Sequence, residues 1–220
     1  MIIPTFELSV LTVAILIACY FLGNINPAIL LGRAYGVDVR KEGSGNAGTT
    51  NAMRTIGKKA GAVTFVVDAL KGWLPVFAIG LLEMRPWGML HLGGGLAVYC
   101  GLAVMFGHMF PAVFRFRGGK GVATAFGVIL AIHWWIALIL IGIVLVLAVI
   151  TRRVSVSVLI ACLCAIPMFY CWDLPDLFGM LLIIALIFIK HIPNIGRIFR
   201  GIEPKMSFGS KDKTAKGGTS

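Results

Sequence analysis

Long apolar runs separated by short polar loops constrain this chain most strongly. The runs cover approximately residues 6–31, 61–82, 89–110, 121–150, 154–170 and 177–189. A helix that crosses the hydrocarbon core of a bilayer needs about 20 apolar residues. Only 13% of the residues are charged, whereas a typical soluble domain has about 25%. The pattern therefore predicts an all-α integral membrane protein, and it argues against both a disordered chain and a water-soluble enzyme.

The run over residues 121–150 is too long for one span. As a single helix it would measure about 45 Å, against a hydrocarbon core of about 30 Å. His133, Trp134 and Trp135 lie near its middle, and such residues are typical of a membrane interface. We therefore predict two shorter spans joined by a turn there, which brings the total to seven transmembrane helices. In this interpretation His133 is an interface residue and has no catalytic role.

The charge distribution supports seven spans over six. The formal net charge is +11, from 20 Lys+Arg against 9 Asp+Glu. With seven spans and the N-terminus outside, only Arg85 lies on the outer side, whereas six spans would export Arg152 and Arg153. Because positive residues concentrate on the cytoplasmic side, we predict an outer N-terminus and a cytoplasmic C-terminus. A membrane accounts for the basic balance, so we expect membrane lipid as a partner and no nucleic acid.

The chain shows no internal repeat, and we predict one membrane domain over residues 1–206 and a polar, mobile tail over residues 207–220. The first run lacks a basic n-region and a clear cleavage site, so we do not expect a removable signal peptide. The five cysteines lie in or beside apolar stretches and show no metal-like spacing with histidine. We therefore expect neither a disulfide framework nor a metal site.

Three polar segments fall on the predicted cytoplasmic side, and the first is GSGNAGTTN over residues 43–51, followed by Arg54. Its glycines permit positive φ angles and close backbone approach. Thr50 and Asn51 stand where a helix could begin, and the free N–H groups of a helix start bind anions. The segment is a candidate phosphate-binding loop, although a plain surface loop with a helix cap would show the same pattern.

The second segment is GHMFPAVFRFRGGKGVAT over residues 107–124. Three glycines surround Lys120, namely Gly118, Gly119 and Gly121. This arrangement is typical of a phosphate-cradling turn that leads into a helix, but its spacing does not match a Walker A loop. Arg115 and Arg117 have a simpler interpretation as cytoplasmic membrane anchors.

The third segment is HIPNIGR over residues 191–197, with Glu203 after it. His191 and Asn194 are three residues apart and could share a helix face. Pro193 could instead end the helix between them. The occurrence of a third polar segment on the same side favours a functional role for the histidine.

Two ionisable residues, Asp68 and Lys71, interrupt the second apolar run. Their spacing allows a local ion pair on one helix. Ionisable residues inside a membrane also indicate a functional site, so both interpretations stand at this level.

The three segments together resemble the bacterial membrane family of acyl-phosphate-dependent glycerol-3-phosphate acyltransferases. The matching pieces are GSGNAGTTNAMRTIGKKAG, GHMFPAVFRFRGGKGVATAFG and HIPNIGRIFRGIEP. They occur in the family's order and spacing and cover nearly the whole chain except the tail, and the segment DALKG is also similar. Thr49 stands where the family usually has alanine, and Ala47 where a larger apolar residue is common, which questions the loop packing.

The resemblance implies a seven-span protein of the bacterial cytoplasmic (inner) membrane with its active site facing the cytoplasm. It implies transfer of a fatty acyl group from acyl phosphate to the 1-hydroxyl of sn-glycerol 3-phosphate. The products would be lysophosphatidic acid and inorganic phosphate, in phospholipid biosynthesis. It further implies a functional link to the separate soluble enzyme that makes acyl phosphate, and no cofactor.

The resemblance also implies the site residues. Those with a catalytic role would be Ser44, Arg54, Lys120, His191 and Asn194. Those that bind substrate or phosphate would be Gly43, Gly45, Asn46, Thr50, Asn51, Lys71, Gly118, Gly119, Gly121 and Glu203. The glycine loop and Lys120 would hold the acyl phosphate and stabilise the departing charge, while the other catalytic residues position glycerol 3-phosphate. The proton would pass to His191 or, as we favour, to a substrate phosphate oxygen, because no carboxylate sits beside His191 as in a triad.

Three other functions fit less well. A transporter of phosphorylated anions would need polar residues through to the outer side, but the outer half is almost wholly apolar. A metal-dependent phospholipid transferase would need several clustered carboxylates, and those on the inner side are scattered. A soluble-type acyltransferase with a His-x-x-x-x-Asp motif is excluded, because no histidine is followed five residues later by an acidic residue.

Overall fold

The computed structural model describes residues 10–83, 95–173 and 175–206. In these ranges the chain forms nine α-helices and no strand, so the predicted all-α class is confirmed. The helices are α1 (Val10–Gly23), α2 (Pro27–Ala34), α3 (Thr49–Thr55), α4 (Lys58–Glu83), α5 (Leu96–Met109), α6 (Val122–Ile132), α7 (Trp134–Thr151), α8 (Val154–Trp172) and α9 (Leu177–Phe199). The predicted mobile tail over residues 207–220 lies outside the described residues, and the single-domain division remains a prediction.

Six helical stretches of the described chain are long and apolar enough to cross a membrane. They are Val10–Ala34, Lys58–Leu82, Leu96–Phe114, Trp134–Thr151, Val154–Trp172 and Leu177–Phe199. The remaining predicted span corresponds to α6, which has 11 residues. Its length is about 16 Å, roughly half of the hydrocarbon core. The seven-span count and the orientation of the termini therefore remain predictions.

The predicted break near His133 is confirmed. Helix α6 ends one residue before His133 and α7 begins one residue after it, and His133 itself has extended backbone angles. Its Nε2 atom lies 2.9 Å from Oδ2 of Asp173, at the end of α8. This contact fastens the α6–α7 turn to the neighbouring helix.

A second break, which we did not predict, divides the first apolar run between α1 and α2. Asn26 caps α2 by accepting a hydrogen bond from the N–H of Ile29 at 3.0 Å, and Pro27 occupies the first helical position. Proline suits this position because the first N–H groups of a helix have no partner within it. The run over residues 6–31 therefore contributes two helices instead of one straight span.

Glycines let neighbouring helix backbones approach closely. A Cβ atom on Gly127 of α6 would overlap the carbonyl oxygen of Ala69 in α4, and one on Gly72 would overlap that of Thr124. The backbones of α1 and α5 meet in the same way at Gly107. Small residues allow such close helix pairs in membranes. These close packings bring together the helix ends that carry the polar segments.

The described residues form two apolar cores. The larger one fills the space between the long helices, with Leu96, Met105 and Phe169 fully buried. A smaller cluster beneath the first polar segment contains Ala28, Ile29, Val39, Ala47, Ala52 and Phe114. This second core fixes the polar segment to α2 and to the 3-10 turn after α5, so the loop has a defined position.

Candidate functional site

The three polar segments meet around one cavity of about 280 Å³, which we call the polar cavity. Ten of the predicted site residues line it, namely Ser44, Asn46, Thr50, Asn51, Arg54, Lys120, Gly121, His191, Asn194 and Glu203. The cavity also has lining residues from α4, α5, α7 and α8. Residues that are distant in the sequence are therefore brought to one place, although their predicted roles remain proposals.

Five predicted site residues do not line the polar cavity. They are Gly43, Gly45, Lys71, Gly118 and Gly119. Gly43 and Gly45 have φ angles of +59° and +71° in the left-handed region, which glycine adopts without steric cost. Their contribution is therefore to the shape of the first loop.

Asn51 organises the first loop from inside. Its side chain is 1% exposed. The Oδ1 atom accepts a hydrogen bond from the N–H of Ser44 at 2.9 Å, and Nδ2 donates to the carbonyls of Val39 at 2.7 Å and Glu42 at 3.0 Å. The oxygen and the nitrogen of the Asn51 side chain both form hydrogen bonds with the backbone. Asn51 therefore holds the loop that presents Ser44.

Helix α3 begins at Thr49, which confirms the predicted helix start to within one residue. Thr50 and Arg54 are four positions apart and therefore lie on the same helix face. Both line the polar cavity, and the Arg54 side chain is exposed. Together with Ser44 and Thr49, the first segment thus supplies one exposed cation and three hydroxyl side chains to the cavity lining.

The glycine loop over residues 118–121 packs tightly against the end of α5. The N–H of Gly119 donates to the carbonyl of His108 at 3.2 Å. A Cβ atom on Gly118 would overlap that carbonyl, and one on Gly119 would overlap Nε2 of the His108 ring. Gly121 has a φ angle of +76° and leads directly into α6. Glycine is required here mainly because of close approach to α5.

A chain of hydrogen bonds joins the second and third segments. Lys120 Nζ donates to Oδ1 of Asn194, and Asn194 Nδ2 donates to Oε1 of Glu203 at 2.6 Å. Ser155 Oγ donates to the same Oε1 at 2.6 Å, and Arg197 Nε donates to Oε2 at 2.7 Å. Glu203 therefore connects α8, α9 and, through Asn194, the glycine loop.

The pKa values of Glu203 and Lys120 in this network are both lowered. Burial alone would raise the pKa of Glu203, but hydrogen bonds from Ser155, Asn194 and Arg197 hold it below its usual value. Burial lowers the pKa of Lys120 to about 8, although Glu203 opposes the shift. Near neutral pH the cavity therefore holds a carboxylate and an ammonium group that loses its proton more readily than an ordinary lysine.

Helix α9 continues through Pro193 to Phe199, so the alternative of a break at Pro193 is wrong. His191 and Asn194 are both buried and both line the polar cavity. His191 Nδ1 lies 2.8 Å from the carbonyl oxygen of Ile187. Because a carbonyl can only accept, we assign the proton to Nδ1. This leaves Nε2 of the neutral ring as a hydrogen-bond acceptor.

Lys71 lies away from the cavity lining. Its ammonium group donates to the carbonyls of Gly23 at 3.2 Å and Ile25 at 2.6 Å, which are freed by the break between α1 and α2. It also forms the ion pair that the sequence suggested, at 2.7 Å from Asp68. These contacts occupy the group, and they support a structural role for Lys71 over substrate binding.

Several lining residues were missed from the sequence. Ser155 lies two residues after Arg153 at the start of a mainly apolar helix, and its hydroxyl is a weak signal because Ser157 follows it in the same helix. Asp68 and His108 also line the cavity, and both were visible as polar residues in apolar surroundings. Ser155 and Asp68 could not be connected to the site without knowing which helix ends meet, whereas His108 belongs to the second polar segment itself.

One wall of the polar cavity is apolar. Phe65 of α4, Ile141, Val144 and Leu145 of α7, and Val158 of α8 contribute to it. Leu145 is 60% exposed, so this wall reaches the outer surface of a helix that could cross a membrane. A cavity with cations at one side and such a wall at the other suits a ligand with a charged head and a hydrocarbon chain.

Comparison with known proteins points to one family. A family model described as glycerol-3-phosphate acyltransferase matches residues 13–201. A protein of that name from Trichlorobacter lovleyi is 40% identical over 188 residues, covering 84% of this chain and 93% of its own. One from Clostridioides difficile is 40% identical over 197 residues, covering 88% and 95%.

Two solved structures share the fold. The glycerol 3-phosphate form of PlsY (YgiH), an integral membrane glycerol 3-phosphate acyltransferase, superposes with a TM-score of 0.81 at 35% identity and covers 89% of this chain and 96% of its own. The lysophosphatidic acid form of PlsY gives a TM-score of 0.78 at 34% identity, with coverage of 89% and 95%. The chain therefore belongs to the glycerol-3-phosphate acyltransferase family of integral membrane enzymes.

Proposed function

We propose that this enzyme transfers a fatty acyl group from acyl phosphate to the 1-hydroxyl of sn-glycerol 3-phosphate. The products are lysophosphatidic acid and inorganic phosphate. The enzyme works in the bacterial cytoplasmic membrane with the polar cavity facing the cytoplasm, and a separate soluble enzyme supplies the acyl phosphate. The two PlsY structures are a glycerol 3-phosphate form and a lysophosphatidic acid form, and these compounds are the proposed acceptor and product.

One observation carries the proposal, namely that cationic side chains and an apolar wall line the same polar cavity. Lys120 and Arg54 lie among hydroxyl and amide donors, which suits phosphate groups. The wall at Phe65 and Leu145 suits an acyl chain. Among the described residues no group of three His, Cys, Asp or Glu side chains is placed to hold a metal ion, and the proposed chemistry does not call for one.

The reaction needs only alignment and charge stabilisation. The 1-hydroxyl oxygen of glycerol 3-phosphate attacks the acyl carbonyl carbon, and the bond from that carbon to the phosphate oxygen breaks. Acyl phosphate is an activated mixed anhydride, so no acyl-enzyme is required. Lys120 and Gly121, the residues of the glycine loop that line the cavity, hold the phosphate that leaves, and Lys120 stabilises its growing charge. Arg54, Ser44, Asn194 and His191 position the acceptor.

We propose that the hydroxyl proton passes to an oxygen of the departing phosphate. Nε2 of His191 accepts a hydrogen bond from the hydroxyl and aligns it. His191→Ala is then expected to raise the KM for glycerol 3-phosphate while kcat at saturation falls less than about tenfold. A general base would give a loss of about 10²- to 10⁴-fold in kcat. Such a loss, with unchanged binding of glycerol 3-phosphate, would assign the proton transfer to His191.

The lowered pKa of Lys120, about 8, predicts a pH-dependent affinity for acyl phosphate. Below this pH the ammonium is charged and binds the dianion, and above it the free enzyme loses the charge. The KM for acyl phosphate should therefore rise by up to about tenfold for each pH unit above 8. At saturation kcat should change less, because a bound phosphate favours the charged form.

Lys120→Arg provides the matched comparison for this pH profile. Arginine stays protonated throughout the accessible range, so the rise in KM above pH 8 should disappear even if overall activity is lower. Steady-state kinetics from about pH 7 to pH 9.5 would measure both enzymes, a range that brackets the lowered pKa and approaches that of ordinary lysine. A flat KM profile in the wild type, or the same rise in the arginine variant, would contradict the assignment.

The direct test is phosphate release from purified protein in lipid vesicles or detergent. The mixture contains glycerol 3-phosphate with either palmitoyl phosphate or palmitoyl-CoA, and a chelator replaces any added metal. We expect phosphate and lysophosphatidic acid in equal amounts from palmitoyl phosphate only. Turnover with palmitoyl-CoA but not with palmitoyl phosphate would show that acyl-CoA is the acyl donor. No turnover by folded protein would favour a transporter of phosphorylated anions.

The proposed orientation has its own test. A fluorescent protein that folds only in the cytoplasm, fused after residue 206, should be fluorescent in cells. If the fusion protein is enzymatically active but not fluorescent, the C-terminus lies outside the cytoplasm and the predicted orientation is wrong.

A further inference from the structure

A buried cluster of ionisable groups lies beside the glycine loop, and the proposed chemistry leaves it unused. Asp68 and Lys71 lie in α4 and His108 lies near the end of α5, and all three side chains are at most 4% exposed. Lys71 Nζ is 2.7 Å from Asp68 Oδ1 and 2.8 Å from His108 Nδ1. Asp68 and His108 line the polar cavity, whereas Lys71 lies behind them.

The cluster fixes the proton on the His108 ring. A lysine ammonium can only donate hydrogen bonds, so Nδ1 of His108, at 2.8 Å from it, must accept. Lys71 also donates to the carbonyls of Ile25 at 2.6 Å and Gly23 at 3.2 Å, so these two oxygens and Nδ1 take its three protons, and Asp68 Oδ1 lies beside the ammonium at 2.7 Å as its ion-pair partner. A proton on Nδ1 would face the ammonium directly. The neutral ring therefore carries its proton on Nε2.

This N–H group lies against the glycine loop. The Nε2 atom occupies the space that a side chain of Gly119 would fill, and the backbone of Gly119 bonds to the carbonyl of His108 at 3.2 Å. Within the described parts of the chain, the polar contacts of the ring all involve Nδ1. His108 lines the polar cavity, so an oxygen of a bound ligand can serve as the acceptor for this donor.

We propose that the Nε2–H group of His108 donates a hydrogen bond to a phosphoryl oxygen of a substrate held by the glycine loop. Lys71 and Asp68 act as positioning residues, because they fix the ring's orientation and its proton. Gly119 leaves the path between ring and ligand open. This inference rests on the proposed function, since it requires that the polar cavity holds phosphorylated substrates. Both acyl phosphate and glycerol 3-phosphate carry the group concerned.

Two variants distinguish loss of the Nε2–H donor of His108 from loss of its side-chain packing. His108→Asn keeps a polar group facing Lys71 but removes the donor at Nε2, whereas His108→Gln carries an amide N–H that reaches the Nε2 position. We expect His108→Asn to raise the KM for one phosphorylated substrate by about tenfold or more, with a smaller change in kcat, and His108→Gln to restore most of the affinity. The substrate whose KM rises identifies the bound phosphoryl group. His133→Asn, which alters a histidine outside the cavity, should leave both KM values unchanged.

Each other outcome overturns the inference. Wild-type KM values in both His108 variants would show that no hydrogen bond to phosphate is lost. An equal loss in both variants, together with a lower melting temperature, would show a structural role only. A wild-type enzyme without turnover would instead contradict the proposed function, so the two failures are distinguishable.

A measurement on the wild-type protein keeps the inference testable if neither variant folds. Nitrogen-15 spectra of protein labelled at histidine report which ring nitrogen carries the proton. We expect an Nε2–H ring for the buried histidine that hydrogen-bonds Lys71, and a shift of its Nε2 signal on addition of inorganic phosphate. A proton on Nδ1, or an unchanged signal at saturating phosphate, would overturn the proposal.

Discussion

Replacing Lys120 with methionine is expected to lower turnover by about 10²- to 10³-fold or more, which corresponds to about 3–4 kcal/mol of transition-state stabilisation. Methionine preserves much of the side-chain volume but removes the charge and all three donors. In the structure Lys120 Nζ uses one hydrogen bond on Asn194, which leaves two donors for a phosphate. No other lysine lines the polar cavity among the residues that the structure describes.

Arg117 offers the matched control for this experiment. It lies three residues earlier in the same polar segment and is exposed, but it does not line the cavity. Arg117→Met should therefore leave turnover within about twofold of the wild type. Comparable losses in the two variants would point to a general effect of positive charge at the membrane surface, and Lys120 would lose its proposed role.

Removal of the Glu203 carboxylate is expected to reduce both stability and activity. Glu203→Ala leaves Ser155, Asn194 and Arg197 without their shared acceptor. Loss of these bonds should cost about 2–4 kcal/mol of folding free energy, since Arg197 is partly exposed and regains water. The corresponding fall in melting temperature is about 4–16 °C. The turnover of the remaining folded enzyme should also fall, because Asn194 and Lys120 lose their alignment.

A partly exposed ion pair provides the comparison for Glu203. Asp38 and Arg40 form a similar contact at 2.9 Å, but about a third of the Asp38 side chain is exposed. Exposed pairs contribute little to stability, so Asp38→Ala should leave the melting temperature and turnover almost unchanged. Thermal unfolding and phosphate release in one detergent would measure all three proteins. A Glu203→Ala enzyme as stable as the Asp38→Ala enzyme would contradict the proposed role of the network.

Local sequence patterns correctly predicted those helices and breaks whose position depends on a single physical effect. Hydrophobic length identified the long helices, and the His133-Trp134-Trp135 sequence identified the break between α6 and α7. The separate helix at Pro27 was missed, although an asparagine cap followed by proline is a helix-start signal. The long apolar run around it dominated the interpretation. The alternative of a helix end at Pro193 was wrong, because the helix continues there despite the lost hydrogen bond.

The candidate site was predictable as a set of loops but not as a network. The residue types of the three segments indicated phosphate chemistry, and the cavity collects ten of the residues proposed from them. Contacts such as Ser155 with Glu203 and Lys71 with His108 join residues 48 and 37 positions apart. Such contacts depend on which helices pack together, and single-sequence periodicity carries no information about that. The structural use of Lys71 could therefore not be distinguished from substrate binding.

The segment after α9 folds back over the polar cavity, where Glu203 bonds to Ser155 and the N–H of Met206 bonds to the carbonyl of Arg152 at 2.7 Å. The first loop, at Ser44, leaves the ribosome long before this segment does. During synthesis the helices can enter the membrane one after another, yet the cavity lacks Glu203 until the segment after α9 has emerged. The bonds that join Ser155, Asn194 and Arg197 therefore form only at the end of synthesis, so completion of the site is a late step.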